Sequence, residues 1–293
     1  MSSAQRVVAR FAEAVERERL GIHGVHVLLG EEEAQRRWAD DVREDVHSVS
    51  KGVSALAAGI AVDEGLLTWD STIAELLPDL ALGDGVEAVR LGHLLTMTSG
   101  IDFPWFASQP MPGPDLAAEM LRRPTVSPGL AFQYSDASTY VAMRMLDARA
   151  GDVLEWLRPR LFDPLGVEEP VWRRCPLGHV LGGSGLALRT EELARIGRLL
   201  RDRGVRRGRR VVPAAWVDGM HGAWISTGGS PPFDRYGVAT WAGPDDCWRL
   251  DGALGQYVVV DERRRAVVTV TADEAERDHL LAELAVRALV LEA

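Results

Sequence analysis

HSVSKGVSALAAGIAVDE, residues 47–64, sets a hydroxyl, Ser48, three positions ahead of an amine, Lys51, at the head of an apolar run. From Ser50 to Glu64 small and apolar residues recur at helical spacing and Gly65 supplies a C-terminal stop, so the pattern predicts a core helix directly after Ser48. Residues three apart on a helix share a face, which brings Ser48 and Lys51 within hydrogen-bond reach. The partial positive charge and unpaired N–H groups of a helix N-terminus are expected to lower the pKa of a buried amine and to favour negative charge on an attacking oxygen. Ser48 is therefore read as a nucleophile and Lys51 as its general base. The spacing alone is a weak signal, because a serine stands three positions before a lysine in about one chance case in twenty.

Composition adds to it. Lysine and arginine together number 33, and Lys51 is the only lysine. A guanidinium keeps its proton in a protein, whereas an amine can be driven to its neutral form. An arginine-biased chain leaves a stray lysine by accident too, so the neighbours of Lys51 decide between chance and chemistry.

Working outward, 293 residues with 46% hydrophobic and 26% charged composition form a globular chain able to bury one large core or two sharing a cleft. A net charge of -10 argues against nucleic acid and against anionic membrane surfaces, leaving a small or neutral molecule as the expected partner. Cys175 and Cys247 read as free thiols, which points to a reducing, cytoplasmic setting. The charges scattered through Met1–Leu20 exclude a signal-peptide core and suggest a surface amphipathic helix. The longest nearly apolar run, Val53–Val62, spans about ten residues, against roughly 20 needed to cross a bilayer.

Ile22–Gly30 alternates, and with Glu31–Glu33 as a turn and Ala34–Trp38 beyond it reads as a β-hairpin. Residues 71–185 read as short helices separated by Pro- and Gly-rich turns. Thr190–Arg203 is an amphipathic helix, Gln256–Val260 and Ala266–Thr271 are a strand pair, and Leu280–Leu291 closes the chain as an apolar helix. The basic run Arg201–Arg210, broken by Gly204 and Gly208, reads as a solvated hairpin. The expected fold class is α/β plus α: a sheet domain from 1–70 and 186–293, with a helical domain of 71–185 inserted and a cleft between them.

Here the sequence resembles the serine β-lactamase-like superfamily, which includes class C β-lactamases, DD-peptidases, esterases and amide hydrolases. His47–Glu64 with GLLTWDSTIAELLPD after it is similar to the family's Ser-x-x-Lys helix; LLTMTSGI (94–101) resembles LLTHTSGL, with Met97 for the histidine. FQYSDASTY (132–140) resembles the Tyr-x-Asn motif, GGSGLALRTEELARIGRLL with VVPAAWVD resembles the approach to the third motif, and Gly252-Ala253-Leu254-Gly255-Gln256 falls at that motif. The resemblance implies a β-lactamase-like fold, an antiparallel sheet flanked by helices. It makes Ser48 the acylated nucleophile, Lys51 the base, Tyr134 the second proton carrier, and the N–H groups of Ser48 and Ala253 the oxyanion hole, with Gly252 permitting close approach.

Two departures matter. Asp136 stands where the family has Asn, and a carboxylate beside Lys51 would favour the ammonium unless it is turned away or protonated. The third motif lacks its Lys or His: Leu250 and then Asp251 precede Gly252, which argues against penicillins and DD-peptides. Asp136, Asp251 and Gly252 are candidates to support the site, and Trp105, Trp224 and Trp241 to line an apolar acyl pocket. No G-x-S-x-G elbow or H-E-x-x-H occurs, and His23 and His26, three apart on a strand, face opposite sides, so neither a metal nor another cofactor is expected. The leading expectation is an ester or amide hydrolase. The alternatives are a transacylase of secondary metabolism, and a binding or scaffold protein that kept the fold and lost turnover. Oligomeric state is not legible.

Overall fold

The computed structural model describes residues 1–244 and 247–292. Five helices position the site: α1 (Ser3–Glu18), α2 (Val49–Asp63), α3 (Asp136–Ala150), α4 (Thr190–Arg201) and α5 (His279–Val290). The hairpin expected at the N-terminus forms β1 (Ile22–Leu29) and β2 (Glu32–Arg37). Six later strands join it: β3 (Ile225–Ser226), β4 (Arg235–Tyr236), β5 (Trp241–Ala242), β6 (Trp248–Gly252), β7 (Gln256–Asp261) and β8 (Ala266–Ala272). All pairs are antiparallel, in the order β2-β1-β8-β7-β6-β5-β4-β3. The two ends of the chain therefore meet mid-sheet, with Val27 opposite Val268.

Strand alternation sorts the sheet into two faces. Val25, Val27, Tyr257, Val259, Val268 and Val270 pack with α1 and α5. Leu28, Val258, Val260 and Val267 join a larger core with α2 and α4. Each fully buried Val or Leu contributes about 1.5–3 kcal/mol of transfer free energy. The same core continues without a break into the middle of the chain, through the short helices Leu91–Leu95 and Leu116–Leu121 and through α3.

The first of these helices to matter for chemistry is α2. Every residue from Val49 to Ala61 is buried, so α2 is apolar on all sides and has no solvent face. It is clasped between β6 and β7 on one side and α3 on the other. The expected helices at Thr190 and Leu280 and the hairpin of Val205–Arg206 with Arg209–Arg210 are present. VVPAAWVD enters a helix, Ala214–Met220. One feature differs from expectation: the middle region, read as helices and turns, contains a strand, Val171–Trp172, that pairs with Leu186–Leu188, itself paired with Glu44–Asp45. That small sheet brings the glycine-rich stretch before Leu186 alongside the head of α2, with Val46 N donating to Leu186 O at 2.9 Å. Among the described residues no helix is long and apolar enough to cross a membrane.

Candidate active site

Ser48 stands at the N-cap of α2 with φ -67° and ψ -8°, and its hydroxyl makes no capping bond, which leaves Oγ for other partners. The chain reaches it through His47 at φ 48°, a left-handed conformation steadied by Asp45, whose Oδ1 accepts from His47 N at 2.7 Å and Gly185 N at 3.0 Å. Lys51, one turn on, is buried. Its ammonium donates to Ser48 Oγ at 2.8 Å, to Gly183 O at 3.0 Å and to Asp136 Oδ1. An ammonium has three donors and no acceptor, so these oxygens suit the charged form of Lys51.

Asp136 opens α3, where its charge suits the helix N-terminus. Its backbone N–H donates to Trp105 O at 2.9 Å, and its second carboxylate oxygen accepts from Ala107 N at 2.8 Å. Gly183 lets the loop pass this close: a Cβ there would fall 2.8 Å from the Cα of Asp136. Tyr134, half-buried just before α3, lies with its ring under Lys51, the ring centroid 4.5 Å from Nζ, and its phenol interacts with both Ser48 and Lys51.

Electrostatics follow from this packing. Burial pulls the Lys51 amine down, but Tyr134 and Asp136 together outweigh it and hold Lys51 above its ordinary value. The lowering expected from burial and the helix start is thus overturned, because Tyr134 and Asp136 both face the amine. Burial raises the Tyr134 phenol, and the opposing pull of Lys51 does not cancel it. Both shifts favour the protonated forms, an ammonium on Lys51 and a neutral phenol on Tyr134.

The third motif arrives on β6. A Cβ on Gly252 would sit 2.5 Å from Val46 O and 3.2 Å from Val49 N, so only glycine lets the strand end press against the turn that carries Ser48. Ala253 follows, exposed, at the start of a short turn. Since Gly252 faces α2, Leu250 does as well, and it is buried against Gly52. Asp251 points to the opposite face, where it pairs with buried Arg249 at 2.8 Å, so it does not join the Ser48 group. Burial raises its carboxyl to about 6 against the pull of Arg249.

Aromatic rings wall the Tyr134 side. Trp241 and Tyr236 lie 5.4 Å and 5.7 Å from Tyr134, centroid to centroid, and Phe132 and Phe106 at 6.5 Å and 6.1 Å. Met97, buried at φ 59°, packs into this cluster. Of the three tryptophans expected at the pocket, Trp241 belongs to the wall. Trp105 supplies a backbone carbonyl to Asp136 while its own Nε1 donates to Pro110 O at 3.0 Å, and Trp224 packs by the Gly237 turn. Sequence reasoning missed Gly183, Ala107 and Tyr236. The first two act through backbone atoms, which no side-chain pattern reveals; Tyr236 was an unremarked aromatic in a strand. His23 and His26 contact Glu44 and Glu33 separately, and among the described residues no His, Cys, Asp and Glu group could hold a metal.

Similarities to known proteins accord with this geometry. The chain is 27% identical over 170 residues to a lovastatin esterase of Penicillium rubens, covering 49% of this chain and 42% of that protein. It is 26% identical over 209 residues to a 6-aminohexanoate-dimer hydrolase of Paenarthrobacter ureafaciens, covering 62% of this chain and 52% of that protein. The chain thus spans about half the length of these curated relatives. A penicillin-binding protein homologue from Caulobacter crescentus superposes with a TM-score of 0.79 at 16% identity, over 100% of this chain and 98% of that one, which is a likeness of fold. The family model described as Beta-lactamase matches residues 8–291, and the chain belongs to that family.

Proposed function

We propose that this protein is a serine hydrolase that cleaves an ester or amide through a covalent acyl-Ser48 intermediate, with Lys51 and Tyr134 managing the protons. The observation that carries the reading is the contact of 2.8 Å between Lys51 Nζ and Ser48 Oγ at the head of a buried helix, with the Tyr134 phenol beside both. An attacking Oγ there gains from the adjacent cation and from the helix start. The Ser48 and Ala253 N–H groups are assigned as the oxyanion hole, supported by the close approach that Gly252 allows.

The substrate class is a neutral ester or amide with an apolar acyl part. Leu250 fills the position where relatives of the superfamily carry a cation for a carboxylate, and the wall beside Tyr134 is aromatic. The relatives named for ester and amide cleavage support this class. Transfer to an amine or alcohol acceptor uses the same acyl-enzyme and differs only in what attacks it.

A fluorophosphonate or p-nitrophenyl ester is expected to leave a mass adduct on Ser48 that the Ser48→Ala variant lacks. Equal labelling of both proteins, or none of either across a panel of acyl donors, sinks the reading in favour of a scaffold protein. Product ratios with added nucleophile far above solvent competition would assign the chain to acyl transfer.

A further inference from the structure

The geometry points to a second binding site, an arginine-lined cleft between α4, the β1–β2 hairpin and the hairpin that carries Arg206 and Arg207, which takes the phosphate group of a small anion. It shares no residue with the Ser48 group and does not depend on the acyl-enzyme reading.

The cleft begins in the pattern of α4. Leu193, Ile196, Leu199 and Leu200 bury one side of that helix in the core. On another flank Glu191, Ala194, Arg195 and Arg198 recur three, four and seven positions on from Glu191, which is a single helical stripe. This stripe lines a cleft of about 280 Å³ together with His26 and Glu33 of the β1–β2 hairpin, Gly166, and Arg206 and Arg207.

Four guanidiniums thus meet two carboxylates, in a chain whose net charge is -10. Glu33 pairs with Arg198 and lies 3.3 Å from His26 Nε2, and Glu191 lies 3.5 Å from Arg195. Arg195 is also fixed by the backbone, donating to Gly166 O at 2.6 Å. Arg206 and Arg207 are different. Arg201 and Arg203 of the same basic run pair with Asp202 and Asp218, whereas Arg206 and Arg207 form no ion pair among the described residues. Arg206 Nε is moreover buried with no hydrogen-bond partner among the described residues. A buried donor is costly to leave unmet, and an anion oxygen in the cleft meets it. Burial, followed by Arg198, Arg207 and Arg195, lowers the proton affinity of Arg206 against the opposing pull of Asp202, as expected where cations gather with too little counter-charge. Burial and Arg198 likewise hold His26 below its ordinary value, so the excess charge of the cleft comes from guanidiniums.

These features select the ligand class. Guanidinium forks bond pairs of phosphate oxygens, and a phosphate group brings up to two charges and three acceptor oxygens where a carboxylate brings one charge and two oxygens. Glu33 and Glu191 have half-exposed side chains and can yield their arginines to a stronger anion. The acidic remainder of the chain repels a long polyanion, which restricts the ligand to free phosphate or a small phosphomonoester.

Isothermal titration of the whole protein with inorganic phosphate, against chloride at matched ionic strength, should show one saturable site. Arg206→Gln should weaken it about tenfold or more, the usual effect of removing a charged hydrogen-bond donor. Phosphate should also raise the thermal unfolding midpoint of the wild type and not that of Arg206→Gln. Arg207→Gln, at an exposed turn position, should weaken binding too, and it covers the case in which Arg206→Gln does not fold. Glycerol phosphate separates the two sources: binding tighter than that of inorganic phosphate assigns a phosphomonoester, and weaker binding assigns the free ion. No saturable binding of either compound, equal affinity or equal stabilisation in the wild type and the variants, or tighter binding of succinate than of phosphate would each overturn the proposal.

Discussion

At the scale of single residues, the site was legible where chemistry and spacing coincide in one segment. Ser48 and Lys51 are three apart on a helix, and the helix alone fixes their contact. The charge of Lys51 was not legible, since it depends on which way a residue 85 positions later faces. Tyr236 was missed for a related reason: its hydroxyl is buried next to the Tyr134 ring with no hydrogen-bond partner among the described residues, and only packing puts it there. Burial holds that phenol well above its ordinary value, so it remains a protonated donor. A buried hydroxyl with no partner costs about 1–3 kcal/mol of desolvation. Tyr236→Phe is therefore expected to leave thermal stability unchanged or raise it, whereas Tyr140→Phe, which removes a donor to Asp115 Oδ1 at 2.8 Å, should lower it. Differential scanning calorimetry of the two variants checks the contrast, and a marked loss in Tyr236→Phe would show that its hydroxyl has a partner in solution.

At the scale of an element, β6 shows how strand parity could have corrected the reading of Asp251. Gly252 must face α2 to approach Val46, so 250 shares its face and 249 and 251 take the other. Asp251 then lies with Arg249 between the sheet and α5, in a region lined by Tyr257, Val259 and Val286. Its carboxyl, raised to about 6, is held protonated in the fold more readily than in the unfolded chain, whose value is near the ordinary 3.8. Between those two values the native state binds the extra proton, so stability falls as pH rises through that window. The total change is about 3 kcal/mol, at 1.36 kcal/mol for each pH unit of displacement. Urea denaturation from pH 4 to pH 7 should show this decline in the wild type relative to Asp251→Asn, which has no such titration. Parallel curves for the two proteins would mean that Asp251 is already ionised in the fold at pH 4.

At the scale of the whole molecule, the two ends of the sequence were readable as sheet because strand alternation is local, and α2 was readable as core because it is apolar on every side. The short helices and glycine-rich loops of the middle were not placed, since their positions come from long-range contacts such as Lys51 to Gly183 and Ser54 Oγ to Gly182 O at 2.9 Å. The Lys51–Asp136 pair is therefore also a tie between α2 and α3, buried at both ends. Removing one partner of a buried ion pair leaves an uncompensated charge and costs about 3–5 kcal/mol, while removing both is often close to neutral. Lys51→Met alone should accordingly destabilise the protein strongly. Lys51→Met combined with Asp136→Asn should recover most of that loss, giving a coupling energy of about 2 kcal/mol or more in a double-mutant cycle read by chemical denaturation. Ser48 acylation should be lost in the double variant all the same, because the cation beside Oγ is gone. Additive destabilisation would show that the pair is screened by water in solution, and the fold would then owe the junction of α2 and α3 to apolar packing alone.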